Sequence, residues 1–270
     1  MGHPVARGYR PLDWSRAMSQ QPSIADRYRE ARERGATLVG GHRGNPAECP
    51  ENTLTSFRSA IELGVDLIEC DVHLSRDGEL VVIHDHTLDR TTSGSGPVFQ
   101  LTVEDLRKLD AGQGERIPLL SDVCELARGR VGLCVELKQL PMPYPGIEEK
   151  LVAALRELDM IEQSCVISFD HRSVLRVKSV EARLQTGVLL ASHPIDPVGV
   201  LREAGADIYS PHWGTMDPEL VQDLHAAGGV VGAWTVDDEA GLAWCRRCRP
   251  DSVFTNRPRE VLPVLRASTG

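Results

Sequence analysis

The strongest constraint on how this chain folds is a rhythm that begins at Leu38 and runs almost to the end. Eight short runs rich in β-formers lie at 38–44, 67–73, 131–138, 164–169, 186–192, 206–213, 230–237 and 252–258. Between and after them come segments of helical period at 53–63, 119–127, 146–158, 173–180, 197–204, 218–227, 238–246 and 258–266, with Gly or Pro near the joins. Eight strands alternating with eight helices predict an α/β fold, a parallel (β/α)8 TIM barrel. A doubly wound open sheet shares the alternation, but it wants a GxGxxG turn after its first strand. Residues 40–46 read GGHRGNP instead.

Two segments break the rhythm. Residues 1–36 carry no strand pattern, and PSIADRYREARER (22–34) reads as a charged helix, so an N-terminal extension packed outside the main fold is expected ahead of a barrel at 37–270. Residues 75–118 are out of proportion for a connection. They open on the Asp77-Gly78 turn and the run LVVIH (80–84), a hairpin signal after the second strand, and continue as a small insertion. Long loops at the carboxyl ends of barrel strands are where such folds keep their chemistry.

Composition narrows the partners. A formal net charge of -9 argues against a nucleic-acid ligand, and an anionic ligand of any kind must be attracted by a local site. No apolar run has the roughly twenty residues of a membrane span, so stable membrane insertion is not expected. The first residues lack a secretory apolar segment, which makes a cytoplasmic location the default. The seven cysteines, odd in number and scattered, read as reduced thiols, with Cys245 and Cys248 on one helix face rather than in a zinc or redox site. Nothing here specifies oligomeric state, and a homo-oligomer stays open.

The chemistry concentrates at predicted strand ends. Side chains alternate along a strand, so Glu69 and Asp71 share a face, which at the end of a barrel strand looks into the mouth. Two adjacent carboxylates repel unless a cation or proton separates them, and oxygen ligands suit Mg²⁺ or Ca²⁺; two separate ion pairs with barrel arginines are the bland alternative. Glu136 and Lys138, also two apart, bring a third carboxylate and a point charge suited to a phosphate oxygen, or else a simple ion pair. His42 ends the first strand and His84 the hairpin strand; they could be structural, or act as acid and base at neutral pH. Arg43 suits bidentate phosphate binding, and Glu51 could orient it or join the metal. His73 reads as solvated or as supporting the site from behind. Trp234, in the seventh strand, could wall the substrate's alcohol or fill the barrel core.

Several motifs together resemble the glycerophosphodiester phosphodiesterase family: His42-Arg43-Gly44, Pro50-Glu51-Asn52-Thr53, Ile68-Glu69-Cys70-Asp71-Val72, Asp77-Gly78, Val82-Ile83-His84-Asp85, Leu88-Asp89-Arg90-Thr91-Thr92, Val135-Glu136-Leu137-Lys138, Ala233-Trp234-Thr235-Val236 and Thr255-Asn256-Arg257-Pro258. The resemblance runs from about Leu38 to Pro263. It implies a TIM barrel that hydrolyses glycerophosphodiesters to sn-glycerol 3-phosphate and an alcohol with one divalent cation, Mg²⁺ or Ca²⁺. It further implies that Glu69, Asp71 and Glu136 bind the metal, that His42 and His84 form the acid/base pair, and that Arg43 and Lys138 touch phosphate. Glu51 is placed by it on the metal or glycerol side, and Trp234 in the glycerol pocket. Asn256 stands where the family often has Asp. Two rivals remain: a lysophospholipase D acting on lysophospholipids, and a non-catalytic barrel that binds a phosphorylated ligand.

Overall fold

A computed structural model describes residues 22–267. Its strands are β1 (Leu38–His42), β2 (Leu67–Leu74), β3 (Leu80–Val82), β4 (Gly132–Leu137), β5 (Ser164–Ser168), β6 (Gln185–Leu190), β7 (Ile208–Pro211), β8 (Val230–Ala233) and β9 (Ser252–Thr255). All but β3 pair in parallel with their neighbours, and the pairing of β1 with both β9 and β2 closes the sheet into an eight-stranded barrel. Strand β3 pairs antiparallel with β2 outside the ring, as the hairpin signal at Asp77-Gly78 implies.

The helices are α1 (Ile24–Glu33), α2 (Leu54–Leu63), α3 (Val103–Leu106), α4 (Leu120–Ala127), α5 (Ile147–Glu157), α6 (His171–Val180), α7 (Pro197–Glu203), α8 (Pro218–Ala226), α9 (Glu239–Cys248) and α10 (Pro258–Arg266). Many begin on a side chain that accepts from the first turn's free N–H groups, as Thr53, Asp170, Asp217 and Asp238 do. Pro197, Pro218 and Pro258 start theirs where no hydrogen-bonding N–H is needed. No helix among the described residues is long and apolar enough to cross a membrane.

Alternation along each strand sorts the core into two shells. Cys70, Val72, Val135 and Val166 face outward and pack with the helices. Leu38, Leu67, Cys134, Ile167, Leu189, Ile208 and Phe254 fill the barrel's interior. Gly40 makes room for one of them, because a Cβ there would overlap the Phe254 ring. All seven cysteines are free thiols, and Cys245 and Cys248 are buried on α9.

The structure corrects the placement of the N-terminal helix. Residues 1–21 lie outside the described residues, but α1 does not sit apart from the main fold. Its buried Ile24, Tyr28 and Ala31 join the barrel's interior cluster, covering the end where the strands begin. Tyr28 Oη lies 3.2 Å from Ser252 Oγ, and Arg32 forms two hydrogen bonds with Asp251. The predicted strand runs also overshoot at their carboxyl ends. Arg43 and Asn256 fall just beyond β1 and β9, where the chain turns into the loops of the mouth, while His212 and Trp234 carry β7 and β8 one residue further as a single parallel bridge. Trp234 thus sits on the last bridged position of its strand, and His84 follows β3 instead of ending it.

The segment 75–118 builds a small core of its own from Val81, Ile83, Leu88, Val98, Leu106, Ala111 and Ile117. Ile83 N–H donates to the Asp71 carbonyl, which ties the start of this insertion to the end of β2 and delivers His84 to the mouth.

Candidate active site

Strand register sets the site. His42 is paired with Glu69 across β1 and β2, and Asp71 with Glu136 across β2 and β4. One pocket at the carboxyl ends is lined by His42, Arg43, Glu69, His84, Glu136 and Lys138 on one side and by Ile167, Phe169, Leu189, Trp234 and Phe254 on the other. Half of it is charged and half apolar, which matches a ligand with an anionic end and a less polar one.

Carboxylate oxygens of Glu69, Asp71 and Glu136, all buried, lie within 4.8 Å of one another. Lys138 Nζ is 2.9 Å from Asp71 Oδ1 and 2.6 Å from Glu136 Oε1. Arg43 Nε forms an ion pair with Asp71 Oδ2 at 3.4 Å, and that oxygen accepts a hydrogen bond from Asn52 Nδ2 at 2.7 Å. Burial works to raise the Asp71 pKa, but Lys138 and Arg43 overcome it and hold the group well below the ordinary carboxylate range. Burial dominates at the other two: Glu69 is driven well above its ordinary value with help from Asp71 and Glu136, and Glu136 is raised to about 7 despite Lys138. Glu69 Oε2 accepts from the Arg43 backbone N–H, whereas its buried Oε1 has no hydrogen-bond partner. An orphaned buried carboxylate oxygen beside two more carboxylates is the environment a hard, oxygen-seeking cation relieves, so these residues fit Mg²⁺ or Ca²⁺.

Arg43 is aimed by its backbone. It takes a left-handed φ of 57°, uncommon for a side-chain-bearing residue. Its carbonyl is held by Asn52 N–H and Ser56 Oγ. Its guanidinium donates to Glu51 Oε1 at 2.9 Å. Glu51 is thus not brought into the carboxylate cluster; both its oxygens are taken by arginines, because Arg90 reaches from the insertion and donates to each at 2.8 Å. The second of the roles read from the sequence, joining the metal, gives way to orienting Arg43.

The two histidines differ in support. His42 Nδ1 lies 2.8 Å from Asn256 Oδ1, and its pKa is lowered to about 4 by burial and then by Arg43. His84 Nδ1 lies 2.6 Å from Asp85 Oδ1, and Asp85 is in turn held by Arg90 Nε at 2.7 Å. Burial lowers the His84 pKa as well, against the pull of Asp71. His73 is not solvated. It is buried between Tyr144 Oη at 2.9 Å and the His84 carbonyl at 3.0 Å. The carbonyl only accepts, so Nε2 carries the proton and Nδ1 accepts from Tyr144.

Trp234 borders the pocket, half-buried, with its indole N–H on the Ser210 carbonyl and its ring edge-to-face with Phe169 at 5.5 Å. It lines the pocket and also packs against the barrel's interior cluster. Asn52, Asp85, Arg90 and Tyr144 support the site and were not singled out by pattern. Asn52, Asp85 and Arg90 stand inside quoted motifs, but Asn52 finds its partner on β2 and Arg90 joins Asp85 to Glu51 in another loop.

The model of the glycerophosphoryl diester phosphodiesterase family matches residues 42–260. A glycerophosphodiester phosphodiesterase of Caldanaerobacter subterraneus subsp. tengcongensis is 39% identical over 238 residues, covering 85% of this chain and 98% of that protein. One from Bacillus subtilis (strain 168) is 30% identical over 246 residues, covering 82% and 84%. The solved structure of an Oleispira antarctica phosphodiesterase in complex with the product sn-glycerol-3-phosphate matches with a TM-score of 0.77 at 30% identity, covering 86% of this chain and 97% of that one.

Proposed function

The chain belongs to the glycerophosphoryl diester phosphodiesterase family and is a phosphodiesterase of that class; on that premise we propose that it hydrolyses glycerophosphodiesters, such as glycerophosphocholine or glycerophosphoethanolamine, to sn-glycerol 3-phosphate and an alcohol. The observation that carries this reading is the meeting of His42, Arg43, Glu69, His84, Glu136, Lys138 and Trp234 around one pocket with a charged and an apolar half.

Arg43 and Lys138 bind the phosphoryl oxygens, and the charge they supply counts for more as the transition state forms in a site shielded from water. Glu69, Asp71 and Glu136 hold one divalent cation, Mg²⁺ or Ca²⁺, which when bound supplies Lewis-acid charge to the phosphodiester. His42, neutral at pH 7, takes the proton from the attacking oxygen as it bonds to phosphorus; that oxygen is either a water, which gives glycerol 3-phosphate directly, or the glycerol's neighbouring hydroxyl, which gives a cyclic phosphate that water then opens. His84, whose contact with Asp85 works against the burial that lowers its pKa, gives a proton to the alcohol oxygen as the old P–O bond breaks. Glu51 and Arg90 keep Arg43 and Asp85 in line. Trp234 and Phe169 flank the less polar part of the substrate.

Release of glycerol 3-phosphate from a panel of glycerophosphodiesters, with Mg²⁺, Ca²⁺ or EDTA, tests the substrate and the cation together. Turnover undiminished in EDTA defeats the metal role. Near-normal turnover in both His42→Ala and His84→Ala defeats the acid/base pair. A second reading, release of a head group from lysophospholipids, draws support from the exposed Leu140, Phe169 and Ile195 on the loops after β4, β5 and β6. Faster turnover of lysophosphatidylcholine than of glycerophosphocholine would favour it.

A further inference from the structure

His42 has a chain of hydrogen bonds behind it that the reaction scheme above does not use. Asn256 hangs on Asp237 at two points: its backbone N–H donates to Oδ1 at 2.7 Å and its side-chain Nδ2 to Oδ2 at 2.6 Å. Thr255 Oγ1 also donates to Asp237 Oδ1, at 2.9 Å. A carboxylate accepts and does not donate, so the group on Oδ2 must be the amide NH₂. The amide oxygen is thereby turned toward His42 Nδ1, 2.8 Å away. That oxygen also only accepts, so Nδ1 carries the ring proton. In a neutral imidazole the other nitrogen, Nε2, is then bare, which is the state a general base needs.

We propose that Asp237 and Asn256 are positioning residues that set the tautomer of His42 and so keep its Nε2 free to take a proton. The inference rests on His42 being the base. An aspartate at 256 would need no such help, because either of its oxygens accepts from Nδ1–H. An asparagine can present NH₂ as readily as oxygen, and a flipped amide would donate to Nδ1 and force the proton onto Nε2. Asp237 removes that freedom, and its own orientation is locked because the Asn256 backbone N–H cannot turn round.

The geometry makes a charge-swap test unusually direct. In Asp237→Asn, the retained oxygen stays with the Asn256 N–H and Thr255 hydroxyl, and an NH₂ replaces the acceptor facing the Asn256 side chain. The Asn256 amide then flips and His42 takes the Nε2–H form. In Asn256→Asp, two carboxylates face each other. In the double variant D237N/N256D, the new NH₂ donates to one oxygen of residue 256 and the other oxygen accepts from His42 Nδ1–H, so the original tautomer returns.

Two readouts are taken. Long-range ¹⁵N–¹H correlation spectra of imidazole-labelled protein, recorded without metal or substrate, report which nitrogen of His42 is protonated. Steady-state kinetics on glycerophosphocholine with saturating Mg²⁺ report function. The expected result is Nδ1–H in the wild type and the double variant and Nε2–H in Asp237→Asn. A lost base or a wrong tautomer costs roughly 10²- to 10⁴-fold in kcat, with little change in KM, and the double variant should recover most of it. An unchanged Nδ1–H tautomer in Asp237→Asn overturns the inference whatever the kinetics. A flipped tautomer with undiminished kcat leaves the hydrogen-bond chain standing and overturns His42 as the base.

Discussion

Replacing Lys138 with Met keeps most of the stem's bulk and deletes the ammonium that lies 2.9 Å from Asp71 and 2.6 Å from Glu136. Three buried carboxylates are then opposed by the Arg43 guanidinium, 3.4 Å from Asp71. Stripping one partner from a buried ion pair costs about 3–5 kcal/mol. A second route reaches a similar figure. The strain is relieved if Asp71 takes a proton, and protonating a carboxyl of ordinary pKa at pH 7 costs about 4 kcal/mol, from about three units at 1.36 kcal/mol each. With a urea slope of about 2.5 kcal/mol per molar, the unfolding midpoint in EDTA should fall by about 1.6 M. Added Ca²⁺ should then raise the variant's midpoint more than the wild type's, because a cation among the carboxylates replaces the missing ammonium. Turnover should fall even at saturating Ca²⁺, because the phosphate contact is gone. A variant as stable as the wild type in EDTA, or one that Ca²⁺ stabilises no more than the wild type, would refute the idea that Lys138 serves as the site's internal counter-charge.

Other perturbations probe the surroundings. His73 is held down to about 4 by burial, while an unfolded histidine titrates near 6.5. Between those values only the unfolded chain takes up the proton, so its contribution is intact above about pH 6.5 and is lost as pH falls toward 4, by on the order of 3 kcal/mol. His42 acts with the same sign, and urea midpoints measured across this window should show a shallower slope in His73→Asn. Arg90→Ala frees Glu51 and Asp85 together and should cut kcat by about tenfold to a hundredfold through misplacement of Arg43 and His84; its melting temperature should hold, since Arg90 is half-exposed. Gly40→Ala drives a methyl into the Phe254 ring and should cost about 1–3 kcal/mol, with Phe254→Leu in the same chain recovering part of it in thermal melts.

The barrel was legible because two periodicities speak at once: period two puts Glu69 and Asp71 on one face and Cys70 on the other, and helical segments fill every gap between the parallel strands. The same alternation carried Glu136 and Lys138 to the mouth. What stayed hidden were pairings between loops. Nothing near His73 names Tyr144, which is 71 residues away, and nothing near Glu51 names Arg90, 39 away. The left-handed turn at Arg43 is likewise unreadable without knowing that Glu69 will receive its N–H. Helix α1 was misread because its apolar stripe is only Ile24, Tyr28 and Ala31 amid charged residues. A stripe that narrow describes a surface helix as well as a stopper.

That stopper has a consequence for how the molecule comes into being. Arg32 meets Asp251 across 219 residues of chain, and Tyr28 meets Ser252 across 224. During synthesis α1 emerges before any strand of the barrel, yet the ring it covers does not exist until β9 has been made. Ile24 can settle beside Leu67 and Gly132 once β2 and β4 exist, but the Tyr28 and Arg32 contacts wait for the far end of the chain. Closing the barrel and seating the helix are therefore late events, and contacts that bridge such spans slow folding because the chain must be ordered before they form. Of the described elements, the one made first is among the last to be fully seated.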